Sequence, residues 1–197
     1  MEARSLFLEV ARTLIELLAC YPASRLNMSA FTHVIVVLGI LARAADVIST
    51  RLVTPTLALE GNALMRRLGW RAAWATLAAG LVGYWSVQLG IIIITASLLV
   101  AGSNLGRGWL ARALGEREME EMMIAAARRG TLRTSVLFMC ASGICVAAPG
   151  VLLMWLSGPS QWGYYFGAGI LSYALAIGIH GSSALRRLFR KASLAAA

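Results

Sequence analysis

Residues 31–54 read FTHVIVVLGILARAADVISTRLVT. A stretch of this length can cross the hydrocarbon core of a bilayer, which is about 30 Å thick and needs roughly 20 apolar residues in a helix. Three further apolar blocks are long enough to do the same, at 70–103, 134–157 and 162–185. The sequence therefore predicts an all-α fold, a polytopic transmembrane helical bundle of about four spans.

The composition also indicates a membrane protein. Of the 197 residues, 59% are hydrophobic and only 14% are charged, whereas a soluble domain carries about 25% charged residues. The net charge of +9 would suggest nucleic-acid binding in a soluble chain. Here the basic residues lie mostly in loops and the tail, where the positive-inside rule places them. We therefore expect the lipid bilayer, and not nucleic acid, as the partner of these charges.

The segments outside the apolar blocks predict three smaller regions. Residues 1–30 contain an amphipathic stretch with Glu9, Arg12 and Glu16 on one face, which is typical of a helix lying in the membrane interface. Residues 107–130 predict a cytoplasmic helix between spans two and three. The acidic run at 116–121 is interpreted as its solvated face. Residues 186–197 predict a basic C-terminal tail that follows the 31–185 bundle.

Loop charge predicts the orientation. The connection at 158–161 carries no charge, whereas arginines precede span three and follow span four. Both flanks, and with them the C-terminus, are therefore expected in the cytoplasm. The block 70–103 would make a helix of about 51 Å. We expect it to cross once, with both termini cytoplasmic. A break near Gly80, Gly83 or Gly90 would instead give two crossings and move the N-terminus outside.

Two charged residues near the middle of span one are the strongest functional signal. A charge at the centre of a bilayer costs roughly 3 kcal/mol by insertion scales, so Arg43 and Asp46 should not face lipid. Their spacing of three residues allows an ion pair along the helix. One interpretation is an intramembrane site in which Asp46 accepts an ion or proton and Arg43 supplies the counter-charge. The other is a purely structural ion pair that locks span one against its neighbours.

A short polar motif extends this site. Asp46-Val47-Ile48-Ser49-Thr50 is followed by Glu60-Gly61-Asn62-Ala63. The pairing resembles a bacterial and archaeal family of polytopic membrane proteins of unknown function, whose members carry Asp-x-x-x-Thr and then Glu-x-Asn-Pro. Ala63 replaces the family's proline. The resemblance implies only that the matching residues converge, which are Asp46, Thr50, Glu60 and Asn62. We separately expect the chain to lie in a bacterial cytoplasmic (inner) membrane.

The motif allows two interpretations of the loop. If it folds back into the bundle, Asp46, Thr50, Glu60 and Asn62 would offer oxygen ligands to a hard cation or a protonated substrate. Alternatively, Glu60 and Asn62 are turn and helix-cap residues on the outer surface. No cofactor is predicted overall. With four crossings, however, His33 and His180 would lie at similar depth near the cytoplasmic ends of their helices, where they could ligate a b-type haem.

Three functional hypotheses follow. The first is a small transporter or ion-handling protein whose intramembrane polar site contains Arg43, Asp46, Thr50, Glu60 and Asn62. The second is a non-catalytic accessory or structural subunit with a membrane-protein partner, or a homo-oligomer. The third is a lipid-directed enzyme that uses Asp46 or Glu60 as a general acid or base. The sequence contains no nucleophile elbow, zinc motif or phosphate loop. It therefore favours a protein that is not an enzyme.

Overall fold

The computed structural model of the protein describes residues 30–194, so the predicted interfacial helix at the N-terminus lies outside the described residues. Within this range the chain is helical and contains no strand. The elements in chain order are α1 (Ala30–Val53), α2 (Ala63–Ala75), a 3-10 helix (Thr76–Tyr84), α3 (Val87–Leu114), α4 (Glu116–Arg129), α5 (Leu132–Ser157) and α6 (Trp162–Leu194).

Four of these helices are long and apolar enough to cross a membrane, namely α1, α3, α5 and α6. The predicted all-α transmembrane bundle is thereby confirmed. Polar residues start two of the four, because Ser86 accepts a hydrogen bond from the Leu89 N–H at 3.2 Å and Thr131 accepts one from the Thr134 N–H at 3.2 Å. Such side-chain acceptors satisfy N–H groups that a helix leaves unpaired at its first turn.

The apolar block 70–103 is not one helix. It divides after the 3-10 helix, at Trp85 and Ser86, and the chain then starts α3. A second change of direction lies at Gly69, whose φ of +74° interrupts α2. The stretch 70–84 between these two points has a length of about 27 Å, close to the thickness of a bilayer core. The break falls between Gly83 and Gly90, so the expected single crossing is replaced by two antiparallel segments.

The first of these segments returns along α1. Val47 packs against Ala73 and Leu77. Earlier in α1, a Cβ on Gly39 would lie 3.2 Å from Cα of Gly80, which comes later in the returning segment. Because residue numbers rise along one element as they fall along the other, the two run antiparallel. Two glycines at the crossing allow this close backbone approach.

Helix α3 then runs parallel to α1. Residue numbers increase together along the two helices. Gly90 lies against Ile35, Ser97 against Arg43 and Asn104 against Thr50. The polar face of α1 is therefore enclosed by the 70–84 segment on one side and α3 on the other. Val34, Val37 and Leu41 of α1 remain exposed on the opposite face, which is available to lipid.

Helices α5 and α6 form an antiparallel hairpin beside this core. They cross where a Cβ on Gly150 would lie 2.8 Å from the carbonyl oxygen of Gly167. Helix α6 continues through Leu194, so most of the predicted basic tail is helical. There Lys191 forms an ion pair of 2.8 Å with Glu120 of α4. The predicted helical character of 107–130 is likewise present, because α3 reaches Leu114 and α4 follows it.

The two ends of the bundle differ in charge. The end that carries the start of α1, the turn at 85–86 and the loop at 158–161 has no charged residue among those described; we call it the uncharged end. The other end contains the loop 54–62, α4 and the last turns of α6. Its charged residues include Arg51, Arg66, Arg67, Arg112, Arg128 and Arg186. We call this the basic end.

Candidate functional site

Arg43 and Asp46 form the ion pair that the sequence predicts, and they connect three elements. The Arg43 guanidinium donates to the Asp46 carboxylate. It also donates to the Thr76 hydroxyl at 2.6 Å, at the start of the 3-10 helix, and lies 3.5 Å from the Ser97 hydroxyl of α3. Arg43 Nε is buried without a hydrogen-bond partner within the described part of the chain. This network supports the locking interpretation of the pair.

A second polar layer lies one turn further along α1. The Asn104 side-chain amide donates to the Thr50 hydroxyl at 2.8 Å and to the Ser49 hydroxyl at 3.3 Å. Thr50 in turn lies 3.5 Å from the second carboxylate oxygen of Asp46. Both carboxylate oxygens of Asp46 therefore accept a hydrogen bond, which fixes the orientation of the side chain.

The loop 54–62 brings Glu60 and Asn62 to the same region. The Asn62 side chain caps α2 by accepting from the Leu64 N–H at 2.9 Å and the Met65 N–H at 3.4 Å. The Glu60 carboxylate accepts from the Asn62 N–H at 2.7 Å. Asn62 is therefore a helix cap, as the second interpretation predicts, but the loop does not lie on an outer surface away from the bundle. A Cβ on Gly61 would come within 2.9 Å of the His180 carbonyl oxygen of α6, so the loop packs inward.

Glu116 anchors this loop from the start of α4. Its carboxylate accepts from the Thr54 hydroxyl and, at 2.9 Å each, from the backbone N–H groups of Thr56 and Ala58. These groups flank Leu57, whose φ of +61° is unfavourable for a residue with a Cβ. Partial burial opposes ionisation, but these hydrogen bonds outweigh it and lower the pKa of Glu116. Glu116 is therefore an ionised anchor at neutral pH, and not the solvated side chain expected from the acidic run.

A cavity of about 360 Å³ lies between α1, the loop, α3 and α6. All five predicted site residues line it: Arg43, Asp46, Thr50, Glu60 and Asn62. Further polar lining residues are Thr76, Ser103, Asn104, Arg107, Tyr173 and His180. Arg107 is exposed, so the cavity opens towards the basic end. Its inner wall is the Arg43–Asp46 pair.

Several polar residues of the cavity and of the Arg43–Asp46 network were not among the site residues expected from the sequence. Ser97, Asn104 and Arg107 recur at helical spacing on α3, so they share one face of that helix. This polar face could have been recognised from the spacing of the three residues. The long apolar run around them makes the pattern hard to detect. Thr76 carries no such signal, because it is a single polar residue in an apolar segment.

The two histidines do not form a haem pair. His33 contacts Tyr84 edge to face near the uncharged end, with ring centroids 5.7 Å apart. His180 lines the cavity towards the basic end, beside the loop. The expectation that they lie at similar depth is wrong, because the reversal at Trp85 and Ser86 inverts the direction of α1 relative to α6. Among residues 30–194, no three His, Cys, Asp or Glu side chains are grouped so as to hold a metal ion.

Comparison of the chain with protein-family models, with curated proteins and with solved structures finds no match.

Proposed function

We propose that this chain is a small membrane transporter and that the cavity is its binding site for an ion or small polar solute. The observation that carries the proposal is the convergence of five polar residues, chosen from two separate stretches of sequence, on one cavity inside a transmembrane bundle. Packing alone does not require such a cavity, because interiors of proteins are normally filled. A polar cavity at membrane depth is the usual place for a transported substrate.

The polar residues of the cavity have two different roles. Arg43 and Asp46 are fixed by hydrogen bonds to α1, α3 and the 3-10 helix. They form a rigid inner wall. Glu60 and Asn62 lie on a loop that is held by Glu116 and by contact with α6. Movement of this loop would open or close the cavity towards the basic end, as lid loops do in enzyme active sites.

The charge distribution supports an orientation. The positive-inside rule puts the basic end in the cytoplasm, and the C-terminus with it, in what we propose is a bacterial inner membrane. The start of α1 then lies on the outer side, as the sequence predicts if the block 70–103 crosses twice. The cavity would open to the cytoplasm.

Uptake into proteoliposomes tests the proposal. We expect the purified protein to carry at least one of three radiolabelled probes, ethanolamine, alanine or succinate, or to conduct protons detected by an entrapped pH-sensitive dye. Replacing Ala176, which lines the cavity, by Phe should reduce this flux to that of protein-free vesicles, because the ring would fill the binding space.

The control is Leu175→Phe, at the neighbouring position of α6, where the side chain is 59% exposed and points away from the cavity. It should retain wild-type flux. All proteins should first be shown to elute as single species with comparable melting temperatures. Wild-type protein that is folded but carries none of the probes or protons would overturn the proposal, as would full activity in Ala176→Phe.

A further inference from the structure

The open end of the cavity carries two opposite charges, and neither side chain is in direct ion-pair contact with another described residue. Glu60 and Arg107 both line it. Within the described part of the chain the ion pairs are Arg43–Asp46, Arg117–Glu121 and Lys191–Glu120, so neither Glu60 nor Arg107 belongs to one. One comes from the loop and the other from α3, which places opposite charges on separate walls of the same space.

The rest of the cavity adds no net charge to this pair. Arg43 and Asp46 neutralise each other at the inner wall, and the remaining polar lining is made of hydroxyl, amide and imidazole groups. A solute with a single charge would therefore be attracted by one of the two outer groups and repelled by the other. A solute with both charges could satisfy both.

The size of the cavity also favours an organic solute. A bare cation needs direct contact with its oxygen ligands at about 2–2.6 Å, whereas this cavity has a volume of about 360 Å³. That volume lies at the lower end of the range for pockets that bind small organic molecules, roughly 300–1,000 Å³. Apolar surface from Val100, Ala176 and Ile177 is available for the body of such a molecule.

We infer, resting on the proposed function, that the solute is a small zwitterion. Glu60 would receive its ammonium group, and Arg107 would receive its carboxylate or phosphate group through the planar fork of its guanidinium. The Asn62 and His180 side chains, which line the cavity close to Glu60, would supply further hydrogen bonds. Glu60 and Arg107 are thus the residues that determine charge specificity.

Ligand-dependent melting of the purified full-length protein tests this inference, because a solute that binds the native state raises its melting temperature. The free zwitterions are alanine, glutamine and leucine, and the lipid-headgroup zwitterion is glycerophosphoethanolamine. The single-charge comparators are ethylamine and propionate. We expect stabilisation by at least one zwitterion and by neither comparator. Stabilisation confined to the amino acids would identify a free solute, and stabilisation confined to glycerophosphoethanolamine would identify a lipid headgroup.

Variants that each remove one charge test the proposed roles of Glu60 and Arg107 separately. Glu60→Gln and Arg107→Gln should each weaken binding of that zwitterion by roughly tenfold or more, since each removes a charge-assisted hydrogen bond. Arg112→Gln and Glu118→Gln, two exposed charges at the same end outside the cavity, should leave affinity unchanged. Binding of ethylamine or propionate but of no zwitterion would overturn the inference while leaving a transporter in place. Absence of any zwitterion-induced shift, or equal affinity in Glu60→Gln and Arg107→Gln, would also overturn it.

Discussion

Arg43→Met is expected to leave little folded protein, and adding Asp46→Leu in the same chain is expected to restore it. The single substitution removes the guanidinium that compensates the Asp46 carboxylate, whose side chain is only 11% exposed. Breaking a buried ion pair by removing one partner costs about 3–5 kcal/mol, because the other charge is left uncompensated. The same substitution removes the bond from α1 to Thr76.

The double variant replaces both charges by apolar side chains. Exchange of a buried ion pair for packed hydrophobic residues is often neutral or stabilising, and here the new side chains would also suit a transmembrane helix. Expression level and melting temperature in mild detergent measure both effects. We further expect the folded double variant to show no flux, because the polar inner wall is gone. Normal melting of Arg43→Met alone would show that the pair does not support the fold.

Gly80→Leu is expected to have the second large effect, by separating the 70–84 segment from α1. A Cβ at this position would lie 2.5 Å from the Ile40 backbone nitrogen and 2.8 Å from the Gly39 carbonyl carbon. Backbone atoms cannot move aside as a flexible side chain can. Overpacking of this kind costs about 1–3 kcal/mol or more, so the melting temperature should fall markedly and flux should fall with it.

Gly102→Leu is the matched control for this prediction. A Cβ on Gly102 of α3 has no protein atom within 4 Å, so the larger side chain has open space. It should melt like the wild type. If Gly80→Leu and Gly102→Leu melted alike, the 3-10 helix would not pack on α1, and a single long crossing by the block 70–103 would again be the better description.

The sequence predicted the spans that consist of one uninterrupted apolar helix, because length and hydropathy alone determine whether a segment can cross. The reversal at Trp85 and Ser86 was harder to predict. Neither residue breaks a helix strongly, and the segment before the turn packs on α1 through the close approach of Gly80 to Gly39 and Ile40. Such a contact joins residues far apart in sequence, and no local pattern reveals it.

Some residues of the cavity could likewise be predicted from the sequence, and others could not. Arg43, Asp46 and Thr50 could be found because a charge in an apolar helix must turn inward, and Glu60 and Asn62 came from a short motif. The part played by Glu116 could not be predicted, because the mixed-charge run at 116–121 has the pattern of a solvated helix face. Only the fold shows that the Thr56 and Ala58 N–H groups point at its carboxylate.

Thiol accessibility at Ser103 is the most direct measurement of whether the bundle encloses a cavity open to the basic end. In a chain with Cys20, Cys140 and Cys145 replaced by Ala, Ser103→Cys should react with a charged, membrane-impermeant methanethiosulfonate applied to inside-out vesicles, because water reaches the cavity and allows the thiolate to form. Gly102→Cys, its outward-facing neighbour, should not react. An unreactive Ser103→Cys, or equal reactivity at both positions, would contradict a water-filled site within the bundle.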